Sequence, residues 1–158
     1  MRDVANIGST YRLMACLNFT EMVHVGTAGA LGAGNLAAAS SKGCEMFVNR
    51  QQYLLAEYLA YLGTHGPANR PPIVAVETAS TAENIHTFDW PEDCSIMVGN
   101  EGTGVPTKVL KTLHPGYDKL VIIPMSGPHK SLNVAMALGM ALFAYRRQWP
   151  GATLPMNM

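Results

Sequence analysis

The stretch that decides the fold is IPMSGPHKSLNVAMALGMALFAYRRQ, residues 123–148, in which a polar Gly-Pro loop leads directly into an apolar helix. From Leu132 to Gln148 the apolar residues recur at helical spacing, which predicts a helix packed into the interior. Ser131 and Asn133 stand where the loop becomes the helix, and both residue types cap helix N-termini. Two hydrogen-bonding side chains at the start of a buried helix also suit a functional site.

Upstream of this stretch, short apolar runs alternate with helical patterns. The runs show little polar alternation, which is typical of strands covered on both faces of a sheet. They are MVHV (22–25), EMFV (45–48), IVAV (73–76), SIMV (95–98) and LVIIP (120–124). The helical patterns before the last helix occupy residues 7–19, 50–66 and 105–113. This alternation predicts an α/β fold, with a mainly parallel sheet flanked by helices, in a single domain over residues 1–158.

Composition excludes several classes of protein. Of the 158 residues 48% are hydrophobic and 14% charged, which excludes a disordered chain. We expect no membrane span and no signal peptide. Cys16, Cys44 and Cys94 are odd in number and widely spaced, which favours reduced thiols and an intracellular location such as the cytoplasm or the nucleus. The histidines have no metal-ligand spacing, so we expect no metal.

The formal net charge is zero, which gives no global argument for a nucleic-acid partner. The charges are nevertheless unevenly distributed, because residues 71–107 contain no Lys or Arg and the basic residues return from Lys108 onward. A local basic face of this kind can meet a phosphate backbone. An ordinary solvated surface explains the same run of charge.

The glycine-rich stretch VGTAGALGAGNLAAA, residues 25–39, follows a predicted strand and has a loose dinucleotide-type spacing. Such loops let the backbone approach a pyrophosphate at a helix N-terminus. The helix that follows is weak, and no acid stands about twenty residues further on. A surface loop is therefore preferred, and a nucleotide-dependent enzyme remains an alternative.

Three loops have the composition of a ligand site. NIGSTYR (6–12) opens the first helix, where Asn6 is predicted to be the N-cap and Arg12 lies further along. VGNEGTGVP (98–106) sets Glu101 among glycines just after a strand, and glycines let the main chain approach a ligand closely. The third loop is residues 122–133. Open α/β sheets bind ligands at loops that follow the carboxyl ends of strands.

In this order, NIGSTYR, GNEGTGVP and IPMSGPHKSLNVAMALGMALFAYRRQ resemble the three motifs of the SpoU/TrmH-type (SPOUT) RNA ribose 2'-O-methyltransferases. The resemblance covers residues 6–148 and is less typical between 27 and 72. It implies a C-terminal trefoil knot, a rare feature in proteins, and S-adenosylmethionine as the cofactor. The implied cofactor site contains Val76, Glu77, Thr78, Gly99, Asn100, Gly102, Gly104, Ile123, Met125, Ser131 and Leu132.

The resemblance also implies a homodimer that acts on tRNA or rRNA, with Arg12 of one subunit reaching the cofactor of the other. The implied catalytic residues are Arg12, Asn6, Glu101, Ser131 and Asn133. A guanidinium hardly deprotonates, so we expect Arg12 to grip a phosphate and stabilise the developing alkoxide, while the other four orient it and the ribose. RNA affinity would come from a basic surface formed by Lys108, Lys111, Lys130, Arg146 and Arg147.

The family places a strand before the first motif, and here only MRDVA precedes it, so that strand is expected to be truncated or absent. The alternative of a different class is a catalytically weak, knotted RNA-binding or scaffold subunit.

Overall fold

The computed structural model describes residues 3–26, 40–129 and 131–151. Its helices are α1 (Val4–Cys16), α2 (Leu55–Thr64), α3 (Thr107–Leu110) and α4 (Val134–Gln148). Its strands are β1 (Glu21–Val25), β2 (Asn49–Tyr53), β3 (Ile73–Val76), β4 (Glu83–Asn84), β5 (Ser95–Val98) and β6 (Lys119–Ile122). Within these ranges no helix has the length and the apolar character that crossing a membrane requires.

All strand pairs that the structure describes are parallel, as predicted. They form a four-stranded sheet in the order β4-β6-β3-β5 and a separate pair, β1-β2, where the sequence had suggested one sheet. In the larger sheet Ile73 is level with Ser95, and Val74 with Lys119. The carboxyl ends of β3, β5 and β6 therefore meet at one edge, which is where two of the segments with unusual composition, 98–106 and 122–133, begin.

The run EMFV (45–48) was wrongly predicted to be a strand. Cys44–Phe47 is a 3₁₀ turn, and it leaves Met46 85% and Phe47 70% exposed. The strand is instead the polar segment Asn49–Tyr53, which the periodicity had assigned to the start of a helix. Pairing with β1 along one edge outweighs the weak strand propensity of this segment. Helix α2 then begins at Leu55, where the Glu57 carboxylate accepts a hydrogen bond from the Leu54 amide (2.7 Å).

The core lies between the larger sheet and the pair of helices α1 and α4. Its most deeply buried large side chains include Trp90, Val74, Val121 and Tyr145, the last donating a hydrogen bond to the Glu92 carbonyl. Burial raises the pKa of Tyr145 to about 12. Arg146 fastens α4 to the end of α1, because its guanidinium donates to the Leu17 carbonyl (2.7 Å) and the Asn18 carbonyl (2.8 Å).

Two sequence-based expectations lie outside the described residues. They concern the glycine-rich stretch beyond Gly26 and the contribution of Lys130 to a basic surface. Neither the nucleotide-loop alternative nor the part played by Lys130 is tested by this structure.

Candidate active site

The fold brings the three predicted segments together through a chain of side-chain hydrogen bonds, although residues 6–12 lie within helix α1 and do not form a loop. The side-chain nitrogen of Asn6 (Nδ2) donates to Glu101 Oε1 (2.9 Å), although the two residues are 95 positions apart. The side-chain nitrogen of Asn133 (Nδ2) donates to Asn6 Oδ1 (2.9 Å) across 127 positions. One residue from each segment therefore belongs to a single polar chain at the carboxyl edge of the larger sheet.

The direction of this chain is fixed by helix α4. Asn133 is the N-cap of α4, and its Oδ1 accepts hydrogen bonds from the amides of Ala135 (2.9 Å) and Met136 (3.3 Å). Because the Asn133 oxygen faces the helix, its NH₂ group has to donate outward to the oxygen of Asn6. The NH₂ group of Asn6 is then the one that faces the Glu101 carboxylate. Asn133 is both a helix cap, as the sequence suggested, and a member of the polar chain.

Asn6 is not the N-cap of α1, contrary to the sequence-based prediction. Asp3 caps that helix, and its Oδ1 accepts from the amides of Ala5 (2.7 Å) and Asn6 (3.2 Å). Asp3, three residues earlier, is an equally strong cap signal in the sequence. Since Asp3 provides the cap, the Asn6 side chain is available to join Glu101 and Asn133.

The loop after β5 is a tight turn that requires glycine at two positions. Asn100 and Gly104 form an antiparallel bridge, in which each amide donates to the other carbonyl at 2.9 Å. A Cβ added at Gly99 would lie 2.1 Å from the Gly104 carbonyl carbon, and Gly104 has a φ of +66°. No other residue type fits at Gly99 without moving this backbone. The turn presents Glu101 at its tip, toward Asn6.

The end of β3 is joined to this turn by Glu77. Glu77 Oε1 accepts a hydrogen bond from the Val105 amide (2.6 Å), and Oε2 accepts from the amide of Thr78 (2.9 Å). The structure therefore places the predicted segment Val76–Thr78 against the predicted segment Gly99–Gly104. No pattern in the sequence assigns a role to the Glu77 side chain, as distinct from its backbone.

The third predicted cofactor segment follows β6, the other neighbour of β3. Ile123 and Met125 are half-buried beyond the end of that strand. Ser131 and Leu132 are exposed and come directly before Asn133. All three predicted cofactor segments thus leave the same edge of the sheet.

Arg12 lies outside this chain of hydrogen bonds. It is exposed, and it stands six residues after Asn6, so the two positions are separated by roughly 120° around α1. Among the residues that the structure describes, none forms a hydrogen bond or an ion pair with Arg12. Arg12 therefore takes no part in the hydrogen-bond chain of Asn133, Asn6 and Glu101.

A cavity of about 510 Å³ opens beside the turn, between strands β1 and β5. Gly99, Asn100 and Thr103 line one end of it, and most of its remaining lining is apolar. In the described part of the chain there is no group of three His, Cys, Asp or Glu residues that could hold a metal ion. The amides and the carboxylate of the polar chain are suited to binding and orienting a ligand rather than to nucleophilic attack.

Comparison with known proteins gives consistent matches. The profile of the SpoU rRNA Methylase family matches residues 1–143. A 23S rRNA (guanosine-2'-O-)-methyltransferase of Acinetobacter baylyi is 28% identical over 146 residues, which are 92% of this chain and 56% of that protein. A tRNA (guanosine(18)-2'-O)-methyltransferase of Aquifex aeolicus is 34% identical over 76 residues, 48% of this chain and 34% of that protein.

A solved structure has the same fold. The SpoU methyltransferase AviRb of Streptomyces viridochromogenes, in complex with AdoMet, superposes with a TM-score of 0.76 at 24% identity, over 94% of this chain and 58% of that one. This match confirms an α/β architecture of parallel strands flanked by helices. The chain spans between a third and three fifths of the length of these three proteins.

Proposed function

The chain belongs to the SpoU rRNA methylase family, and from this premise we propose that it transfers a methyl group from S-adenosylmethionine to a ribose 2'-hydroxyl of tRNA or rRNA. The observation that carries the proposal is the Asn133–Asn6–Glu101 chain, which joins helix α1 to the loops after β5 and β6 at the carboxyl edge of a parallel sheet. Ligand sites of open α/β folds lie at this edge. An RNA substrate would place the protein in a compartment that contains RNA.

The residues present fit the cofactor. The turn Gly99–Gly104 has its backbone exposed by glycines, and a Cβ at either end would collide with neighbouring atoms. S-adenosylmethionine would be held by Val76–Thr78, by this turn, and by Ile123, Met125, Ser131 and Leu132. Bound there, it supplies an electrophilic methyl group on a sulfonium sulfur.

The chain's own groups would bind and orient the RNA. Glu101, held by Asn6, is an acceptor for a ribose hydroxyl, and Asn133 fixes Asn6 in the matching orientation. Ser131 adds a hydroxyl at the same corner. Arg12 of a second subunit would grip the phosphate next to the target ribose and stabilise the developing alkoxide. The proton leaves to a phosphate oxygen or to water, since a guanidinium hardly releases its own.

A homodimer is part of the proposal, and α4 offers the surface for it. Met136, Met140 and Phe143 are 64%, 47% and 68% exposed, and their spacing puts them on one stripe of the helix. A stripe of large exposed apolar side chains is typical of a surface that a partner covers. Gly139 on α4 lies against Leu13 of α1, so this stripe adjoins the helix that carries Arg12.

The C-terminal trefoil knot also belongs to the proposal. Two observations support it: β3 lies between β5 and β6, and the segment after β6 leads to Asn133, which Asn6 joins to Glu101 in the turn after β5. An experimental electron-density map traced through residues 95–148 checks this path. An unknotted trace would refute the knot.

The dimer predicts a clear mutational result. Phe143→Glu should convert the protein to a monomer, because it places a charge in the apolar stripe, and light scattering coupled to size exclusion measures the mass. Leu54→Glu is the control, since Leu54 is also an exposed apolar residue, 49% accessible, but belongs to the start of α2. If the Phe143 variant kept a dimer mass, α4 would not be the interface.

Two measurements test the activity itself. Isothermal titration with S-adenosylmethionine should show binding, and absence of binding at millimolar cofactor would favour the scaffold alternative. Nucleoside mass spectrometry of RNA from cells with and without the protein should reveal a lost ribose-methylated nucleoside. Loss of a base-methylated nucleoside instead would refute ribose specificity.

Asn133→Asp should separate catalysis from stability. Aspartate caps a helix as well as asparagine does. The free energy of unfolding, measured by thermal unfolding, should therefore change by less than about 1 kcal/mol. Aspartate has no NH₂ group to donate to Asn6, so Asn6 would turn its own NH₂ group away from Glu101. We expect methyl transfer to fall by about 10- to 100-fold. Asn133→Ala is the matched control, which loses both the cap and the activity; an Asn133→Asp enzyme of full activity would remove the polar chain from the mechanism.

A further inference from the structure

We propose that Glu77 is the positioning residue of the cofactor turn: its side chain acts through the turn at Gly99–Val105 rather than on the cofactor. This inference rests on the proposed function, because it assigns Glu77 a task within that site. It differs from the expectation that Glu77 belongs to the cofactor-binding residues through its backbone.

The Glu77 carboxylate is held by hydrogen bonds on both of its oxygens. Both oxygens of Glu77 are engaged, one by the Val105 amide at 2.6 Å and the other by the Thr78 amide at 2.9 Å. The backbone of Glu77 is itself held, because its amide donates to the Val121 carbonyl (3.0 Å) of the neighbouring strand β6. The carboxylate therefore connects a fixed point of the larger sheet to the far end of the turn.

The Glu77 carboxylate also packs closely against the backbone of the turn. A Cβ built on Gly104 would lie 2.2 Å from Glu77 Oε1, so the carboxylate rests directly on the Gly104 backbone. Gly104 in turn closes the antiparallel bridge with Asn100 and presses against Gly99. Glu77, Gly104 and Gly99 are thus stacked without spare room, and the shape of the turn depends on all three.

The turn that Glu77 holds also positions Glu101 in the polar chain. Glu101 stands within the turn that the Asn100–Gly104 bridge closes, and its carboxylate accepts from Asn6. Releasing Val105 and Gly104 from Glu77 would loosen the base of this turn. Both the cofactor contacts of the turn and the alignment of Glu101 with Asn6 would then be lost together.

Three variants test the inference. Glu77→Ala removes both acceptors, and we expect the Kd for S-adenosylmethionine to rise by about 10- to 100-fold and kcat to fall as well. Glu77→Gln keeps an amide oxygen that can accept from Val105, so its Kd should stay within about threefold of the wild-type value. Glu83→Ala is the control, because Glu83 is an exposed carboxylate on β4 of the same sheet and should change nothing.

Hydrogen exchange of the cofactor-free protein gives a readout that direct binding would not move. The Val105 amide should exchange faster in Glu77→Ala and at the wild-type rate in Glu77→Gln. If Glu77→Ala weakened cofactor binding and left Val105 exchange unchanged, Glu77 would contact the cofactor directly and the inference would be overturned. A Glu77→Ala protein that binds as the wild type does would overturn it too.

A double-mutant cycle with Gly104→Ala protects the test against simple misfolding. Gly104→Ala alone should weaken binding, because its methyl group collides with Glu77 Oε1. Combined with Glu77→Ala the collision disappears, so the two effects should be clearly less than additive. Additive effects would contradict the stacked arrangement. A wild-type protein that fails to bind S-adenosylmethionine would overturn the proposed function itself, a result distinct from all of these.

Discussion

Arg12→Ala should lower the rate of methyl transfer by about 10²- to 10³-fold while leaving the Kd for S-adenosylmethionine unchanged. The reason is that Arg12 forms no hydrogen bond or ion pair with the described residues of the predicted cofactor loops: it is exposed and stands on a different face of α1 from Asn6. In the proposed dimer its guanidinium meets the RNA phosphate and the developing alkoxide, which are charges of the reaction rather than of cofactor binding. Single-turnover methyl transfer to RNA and calorimetric titration of the cofactor measure the two quantities separately.

Two further variants define what Arg12 contributes. Arg12→Lys keeps the charge but loses the planar pair of donors, so it should recover only part of the activity. Arg50→Ala removes an exposed arginine of β2 that lies outside the predicted site, and its activity should stay at the wild-type level. If Arg12→Ala retained full activity, Arg12 would have no place in the mechanism.

A mixing experiment tests whether the site is shared between subunits. Arg12→Ala and Glu101→Ala should each be inactive alone. When they are mixed and allowed to exchange subunits, half of the dimers are hybrids, and each hybrid has one site with both residues intact. Activity should then return to about a quarter of the wild-type level. No recovery in a mixture shown to contain hybrids would refute a site built from two chains.

The sequence predicted those parts of the fold that continuous apolar runs mark. IVAV and SIMV are strands in the structure, LVIIP is a strand as far as Ile122, and the helix predicted from Leu132 begins at Val134, because a continuous apolar run leaves few other ways to satisfy the backbone away from water. The polar strand Asn49–Tyr53 was missed for the complementary reason. It lies at the edge of a two-stranded sheet, and its pairing with β1 is a tertiary contact that local periodicity does not reveal.

The candidate site was only partly accessible to local reasoning. Glycine-flanked Glu101 and the Ser131–Asn133 corner were conspicuous in the sequence, but a contact spanning 127 positions cannot be derived from spacing. It was the family resemblance, not periodicity, that placed Asn6 with Asn133. The role of the Glu77 side chain could not be predicted at all, since a carboxylate that follows a strand has no distinguishing sequence pattern. Only the structure shows that this carboxylate lies against Gly104.

The opposite edge of the larger sheet leads to the largest expected effect on stability. Asp118 and Arg70 form an ion pair whose side chains are 1% and 2% exposed. The guanidinium donates to both carboxylate oxygens, at 2.7 Å and 2.5 Å, and the same carboxylate accepts from the amides of Ile73 (2.8 Å) and His114 (2.7 Å). Asp118 thereby ties the first residue of β3 to the start of β6.

Asp118→Ala should therefore destabilise the protein by about 3–5 kcal/mol, because it leaves the Arg70 charge buried without a partner and removes the acceptor of two backbone amides. Urea unfolding at pH 7, at a fixed protein concentration because the protein is proposed to dimerise, measures the difference. Asp89→Ala replaces an exposed aspartate and should stay within about 0.5 kcal/mol of the wild type. The double variant Arg70→Met/Asp118→Leu should recover part of the loss, since neither charge then remains buried alone.

The same pair predicts a dependence on pH with a definite sign. Burial by itself raises the pKa of the Asp118 carboxyl, but the hydrogen bonds from Arg70, Ile73 and His114 outweigh it and hold the pKa below its usual value. The pKa of Asp118 is therefore lower in the folded protein than in the unfolded chain. In that case the ionised carboxylate makes its full contribution to the free energy of unfolding above the unfolded pKa of about 4. This contribution is lost as the pH falls through the pKa of the folded state. The stability difference between the wild type and Asp118→Asn should therefore be constant near neutral pH and shrink in acid below about pH 4. A difference that stayed the same down to pH 2 would mean that ionisation of Asp118 does not contribute to stability, and that the carboxyl acts through its shape and its neutral hydrogen bonds alone.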